Sequence, residues 1–360
     1  MGIKSILFRG QITSTGIVNF DGKDAKWLLK KAKPDCLGQL GHDNAKVAKH
    51  AITQEGVDEK GRPILKAVLK ISKDCIRQSI FKEDQPFHNP AIVHAPKVLL
   101  RLLASVAGLL RGYMFADAGI RKKSAVYISD AVQTSKNVST FDIGTQNAPK
   151  ETKAEADDDA GLTMHFKECI GGEVTYEFEG AIDLSELQFI SLSQVYDRLA
   201  VDPNHVAQYR DNLKTTLGEV TDKAYYVRKT AVGGLPEEGL LLDSDQVKIL
   251  VGEFFQRLLG LDIVRGACGR AWLSSLEIMP KAGGLDVAGW TPVKVASDAL
   301  GVIESVHCFY DKYDEAEAVK LYEGMDLGKQ KTKAVKKTKK DKVKEAVVEG
   351  AVVEPTAEVE

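Results

Sequence analysis

The sequence predicts an α+β fold built on an antiparallel sheet. Three observations carry that prediction. The runs follow one another as strand, helix, strand, hairpin, helices, strand, helix, strand, without the βαβ alternation of a doubly wound sheet. Gly171-Gly172 lies between two strand-like runs and signals a hairpin. And 44% of the 360 residues are apolar, enough for a sizeable core in one large domain or two modest ones.

Taken in order, "IKSILFRGQITSTG" alternates loosely and predicts a first strand over Ile3–Thr13. "DAKWLLKKA" has the makings of a short helix. The polar stretch from Pro34 to Arg62, with four glycines, reads as an insertion. "PILKAVLKISKDCIRQSIF" predicts a strand running into a short helix near Lys73. "APKVLLRLLASVAGLLRGYMF" predicts one buried helix, with Leu99, Leu103, Val106 and Leu110 on one face. "SAVYISDAVQTS" predicts a strand. Residues 133–160 are charged and poor in large apolar side chains, which reads as a disordered loop or as an arm that orders on a partner. "LTMHFKECIGGEVTYEFEGAID" predicts two strands around the Gly-Gly pair. "SLSQVYDRLA" predicts a helix. Asp202-Pro203 opens another, and "KAYYVRKTAV" is a strand. Asp243 and Gln246 form a capping-box pattern ahead of "VKILVGEFFQRLLGL", Gly260 stops that helix, and "RAWLSSLEIM" returns as a strand.

Charge is unevenly spread. Residues 329–344 hold nine lysines and one acid, and residues 345–360 hold five glutamates and no base. That leaves 40 basic and 45 acidic residues in 1–328, so any nucleic-acid surface must be a local patch on an acidic body. The tail 329–360 is low in complexity and reads as disordered, Lys-rich then Glu-rich. If it acts, it supplies salt-sensitive, nonspecific attraction to nucleic acid. Five widely spaced cysteines without a CxxC pair argue against a disulfide framework or a zinc ribbon, and fit a reducing cytoplasm. Lys4 and Arg9 break any signal-peptide run. Val98–Leu110, the most apolar stretch, is too short to span a bilayer, so no membrane is expected.

Catalytic patterns are weak. "RGACGR" places Cys268 between small residues, more often a packed side chain than a nucleophile. The same loop lies between a helix and a strand, the reverse of a dinucleotide-binding loop, and no GxxxxGK[ST] occurs. Asp21 and Asp24 in "NFDGKD" lack the partners of a calcium loop and read first as a turn. No metal, no cofactor and no catalytic residue is expected.

Four stretches, in this order, resemble the RAMP superfamily of CRISPR-associated proteins. They are "FRGQITSTGIVNFDG", "ILKAVLKISKDCIRQSIF", "STFDIGTQNAPK…AGLTMHFKECIGGEVTYEFEGAID" and "GLDIVRGACGRAWL". More narrowly the chain resembles the Cas-seven-like crRNA-binding backbone subunit. In the second stretch Lys73 and Arg77 keep the family's lysine and arginine, while Asp74 replaces its glycine. Length and the helix "LLRLLASVAGLLRGYMFADAG" place it nearest type IV, with type III next.

The resemblance implies an RRM-like (ferredoxin-like) antiparallel-sheet palm over 1–328, with a helical finger insertion at about 20–65 and a thumb hairpin at about 133–180. It implies copies polymerised along a crRNA spacer. Each copy grips the sugar-phosphate backbone irrespective of sequence and presents bases to a target, DNA or RNA. The RNA-binding set it points to starts with Ser14 and Thr15 beside Gly16, and with Lys70, Lys73 and Arg77 on a basic line that Lys66 extends. Lys136 follows on the arm, with Lys150 and Lys153 beside it. Leu162 and Met164 are base wedges, or ordinary hairpin packing. Arg265, Gly266, Gly269 and Arg270 belong to the glycine loop, a phosphate cradle or a plain hairpin corner. Implied partners are crRNA, target, adjacent copies, and cap, large and crRNA-processing subunits, with a helicase in a type IV setting. A type III-like relative would instead cut target RNA with Asp21 or Asp24 and a metal.

Overall fold

The computed structural model describes residues 3–21, 47–82, 96–115, 119–135, 139–146, 164–192, 199–218, 225–229, 236–265, 269–282, 285–286 and 288–304. All fall within one compact unit, Met1–Ala318; the second unit, Val319–Glu360, lies outside the described residues, as does the expected tail. Among the described residues no helix is long and apolar enough to cross a membrane.

The chain begins with β1 (Ser5–Gly16), β2 (Phe20–Asp21), β3 (Val47–Ala48), β4 (His50–Val57) and β5 (Pro63–Ile71). Helices α1 (Lys73–Ile80), α2 (Pro96–Leu103) and α3 (Val106–Arg111) come next. The strands β6 (Tyr113–Phe115), β7 (Ile120–Lys122), β8 (Val126–Ile128) and β9 (Ala131–Gln133) follow. Then come β10 (Ser139–Gln146), β11 (Met164–Gly171), β12 (Glu173–Asp183), α4 (Leu184–Gln188) and β13 (Phe189–Ser191). After α5 (Val206–Leu217) the chain forms β14 (Tyr225–Lys229), β15 (Pro236–Leu241) and α6 (Ser244–Leu259). It closes with β16 (Asp262–Val264), β17 (Gly269–Ala282), β18 (Leu285–Asp286), β19 (Thr291–Pro292) and α7 (Ala296–Glu304).

The α+β expectation holds: a large antiparallel sheet runs β16-β17-β1-β12-β9-β5-β4, with β18 and β19 on β17 and β8 on β12. Its centre is β1, antiparallel to β12 and to β17. Strand alternation explains why. Ile6, Phe8, Ile12 and Ser14 point to the core, while Arg9 and Thr15 point out. Phe8 meets Phe178 of β12 and both Phe254 and Phe255 of α6, with ring centroids 5.4–6.4 Å apart. The capping box on α6 forms as its sequence predicts: Asp243 accepts from Gln246 N–H at 2.8 Å and Gln246 Oε1 accepts from Asp243 N–H at 3.0 Å.

Several sequence expectations change. The single helix over 95–115 is two, because Ser105 leaves the helix at ψ 162° and caps α3 by accepting from Gly108 N–H at 3.2 Å. Residues 139–146, expected as loop, form β10. Its partner is β11, whereas β12 joins the main sheet. The chain therefore bends at Gly172 (φ 110°) and changes sheets there, and the hairpin lies between β10 and β11. The expected finger contributes β2, β3, β4 and the start of β5; its residues 22–46 lie outside the described part, as does most of "SLSQVYDRLA".

Candidate nucleic-acid interface

One end of the central strands gathers most of the described candidates. There β1 finishes at Gly16 (φ 73°), paired with Gly269 at the start of β17; Thr15 faces Arg270 and Ser14 faces Ala271. A Cβ on Gly269 would lie 2.7 Å from the Gly16 carbonyl carbon and 2.8 Å from Ile17 N and O. The two backbones touch, and only glycine permits it. Arg265 N–H donates to the Gly269 carbonyl at 3.1 Å; Gly266 and Cys268 lie outside the described residues.

The helix α1 starts beside Asn19 and Arg265. Ser72 is its N-cap, and Asn19, just past β1, donates Nδ2 to Ser72 Oγ at 2.8 Å. Arg265 Nη2 lies 3.9 Å from Cys75 Sγ on the first turn of α1. The end of β1, Arg265, the start of β17 and α1 therefore lie side by side. Lys73 and Arg265 are exposed there, and among the described residues neither forms an ion pair.

The other cations are engaged. Lys70 Nζ pairs with Asp130 Oδ2 at 3.0 Å, and Asp130 Oδ1 also accepts from Lys73 N–H at 2.8 Å. Arg270 holds Asp262 through two bonds, at 2.8 and 3.0 Å, which raise its already high pKa. Lys66 pairs with Glu55 at 3.1 Å. Arg77 does not continue the line of Lys73; its half-buried Nη2 donates to the Arg111 carbonyl at 3.1 Å and Ser124 Oγ at 3.2 Å. Ser14 is fully buried and donates to the Gly16 carbonyl at 3.2 Å, which withdraws it from the surface, whereas Thr15 is exposed. Met164 pairs with Gln146 in β10–β11, and Leu162, Lys136, Lys150, Lys153 and Asp24 lie outside the described residues. Asp21 is placed only as a β2 residue opposite Val47.

Sequence reading missed Asp130 and Asn19. They sit 57 and 53 residues from the α1 positions they bind, and no local spacing signals either contact. Burial pushes the Asp130 carboxyl up, but the Lys73 N–H and Lys70 outweigh it and hold its pKa below the ordinary value. Its contribution to stability is therefore complete above the ordinary carboxylate pKa and is lost as pH falls through the depressed one. Asp130→Asn should cost about 1 kcal/mol at neutral pH, a modest figure because solvent screens the site. Urea melts at neutral and acidic pH check this: the gap to wild type should close on acidification.

From Asp130 onward the open face of the sheet is acidic. A cavity of about 690 Å³ is lined by Asp130, Glu177, Glu179 and Glu277 around Arg9. Arg9 is already held by Glu277 at 2.7 Å and lies over the Trp290 ring at 4.3 Å. That acidic lining disfavours an anion there. Among the described residues no three His, Cys, Asp or Glu side chains group to hold a metal ion.

Comparison with known proteins gives the following. No curated protein matches the chain. Among solved structures, a chain of "CRISPR RNA-guided surveillance complex" is similar at 10% identity, with a TM-score of 0.37, over 89% of this chain and 81% of that one. A chain of "CRISPR RNA-guided surveillance complex, pre-nicking" is similar at 11% identity and TM-score 0.38, over 89% and 85%. A chain of "Cryo-EM structure of the Type III-B Cmr-beta bound to cognate target RNA" is similar at 13% and TM-score 0.26, over 50% and 47%. The family model described as "Type I-Fv CRISPR-associated protein Cas7fv-like" matches residues 2–279. It supports the expected Cas-seven-like backbone family and does not support the type IV placement. With that match spanning most of its length, the chain belongs to the type I-Fv CRISPR-associated Cas7fv-like family.

Proposed function

We propose that this chain is the guide-RNA-binding backbone subunit of a CRISPR effector ribonucleoprotein. Copies stack along the crRNA spacer in the cytoplasm. Each holds sugar-phosphate without reading sequence and leaves bases free to pair with a target strand. The observation that carries this reading is the convergence of Lys73, Arg265 and the Gly16–Gly269 contact at one end of β1 in a Cas7fv-like chain. On this reading the sheet, with β1 between β12 and β17 and helices packed on one face, is an RRM-like palm, and β10–β11 is the thumb. The acidic open face turns the strand away from the sheet surface that an RRM uses for stacking. The subunit does no chemistry itself; its partners are crRNA, target, adjacent copies and the other effector subunits. No specific observation favours metal-dependent cutting through Asp21 or Asp24.

Purification of the full chain at low salt tests the proposal. RNA should co-purify, the particles should form a ladder of sizes, and stripping the RNA with high salt should collapse them. A monodisperse, RNA-free protein at low salt overturns the reading.

A further inference from the structure

The open face of the sheet carries an apolar slot that the RNA-binding proposal does not use. Tyr127, Ala181 and Leu7 form one row across the neighbouring strands β8, β12 and β1, and Trp290, just before β19, closes the slot. It measures about 360 Å³. Each ring is held by a cation. Arg9, itself fixed by Glu277 at 2.7 Å, lies 4.3 Å from the Trp290 ring centroid, and Lys123 Nζ lies 5.8 Å from that of Tyr127. Tyr127 is nonetheless 42% exposed, and Leu7 and Ala181 are half-buried. The slot is thus an open apolar site with walls already fixed in place.

Ser129 and Glu179 line both this slot and the acidic cavity of about 690 Å³, so the two form one continuous groove. In its acidic part Arg9 answers Glu277 and Lys70 answers Asp130. Glu177 and Glu179 are exposed, and among the described residues neither forms an ion pair; Glu177 accepts from the neutral amide of Gln11 at 3.1 Å. Ala181, Glu179 and Glu177 occupy alternate positions of β12, so the slot floor and the two carboxylates recur about 7 Å apart on one face. An extended peptide has the same repeat. An apolar side chain seated in the slot therefore sets the side chains two and four residues along over Glu179 and Glu177. The rings suit an apolar anchor, and the carboxylates suit cations and repel phosphates.

We propose that this groove docks an extended segment of a partner protein. The segment places an apolar side chain between Tyr127 and Trp290, and a lysine or arginine over each of Glu179 and Glu177. The inference does not depend on RNA binding at the other end of β1.

The test titrates the full chain into fluorescein-labelled serine–glycine peptides and reads anisotropy. Each peptide carries one leucine, with lysines two and four positions after it in one peptide and before it in the other. Saturable binding of one of them is expected. Tyr127→Ala should weaken it about tenfold, as loss of an anchor-pocket wall does, and Ala181→Met, which fills the slot and leaves both carboxylates, should do the same. Glu179→Gln should weaken it about threefold, the scale of an exposed ion pair. Moving the lysines to one and three positions from the leucine should weaken it too. Tm and affinity for single-stranded RNA should be unchanged in the Tyr127 and Glu179 variants, whose side chains are exposed. Wild-type peptide affinity in both Tyr127→Ala and Ala181→Met, equal affinity for the two lysine spacings, or no saturable binding overturns the proposal. Displacement of the peptide by single-stranded RNA also overturns it and gives the face to nucleic acid. Self-association that Tyr127→Ala abolishes, with no peptide binding by wild type, overturns it in favour of a second copy of this chain.

Discussion

Replacing Lys73 and Arg265 together by alanine is expected to weaken RNA binding more than tenfold at low salt. It should also lower the salt slope by about 1.4, the value for two phosphates on a single strand. These two side chains are exposed where β1, the segment after β16 and α1 meet, and neither is in an ion pair among the described residues. The contrast is with Arg270 and Lys70, whose charges are answered by Asp262 and Asp130 at 2.8 and 3.0 Å. A phosphate that recruits either must first compete with a carboxylate, so single alanine variants there should shift affinity less. Filter binding across a salt series checks the ranking. If Arg270→Ala costs more than Lys73→Ala, the assignment of the surface is wrong.

Gly269→Val should be more damaging than its surface location suggests. The added Cβ meets the Gly16 carbonyl carbon at 2.7 Å and Ile17 N and O at 2.8 Å, all backbone atoms that no rotamer change can move. Either the first pairs of β1 and β17 separate or the end of β1 shifts. The expected cost is about 3 kcal/mol, at the high end for overpacking because a rigid backbone must yield. Shifting β1 also displaces Asn19, and with it the hydrogen bond to Ser72 that seats α1. RNA affinity should therefore fall even in the fraction that stays folded. Urea midpoints with parallel RNA titration separate the two effects, and a variant that loses stability while keeping affinity would uncouple the contact from binding.

Much of this was legible in residue order. Alternation in β1 is local information: every second side chain faces one way, so Ile6, Phe8 and Ile12 mark the buried face without reference to any partner. The same holds for the Asp243–Gln246 capping box, whose partners are three residues apart. The four ordered stretches pointed to the right family, because motif order survives when side chains drift. Subtype did not follow from them: the family model that matches is a type I-Fv one, and the type IV placement is not confirmed.

What failed involved a choice between distant partners. Gly171-Gly172 looked like a hairpin corner, but β12 gains more by lying along eleven residues of β1 than by folding back on β11. Lys66, Lys70, Lys73 and Arg77 looked like one continuous basic line. Strand and helix geometry sends them to Glu55, Asp130, solvent and Arg111, and nothing in their spacing says which is neutralised. The sequence by itself determined the sheet class, the buried stripe of β1 and the Asp243–Gln246 cap, all set by local periodicity and short-range hydrogen bonds, while the order of four stretches carried the resemblance to the family. Tertiary structure alone decided which of these cations are paired with carboxylates and why Gly269 must be glycine. Both depend on atoms brought together from far along the chain, and Coulomb energy and steric repulsion act on distance in space, not in sequence.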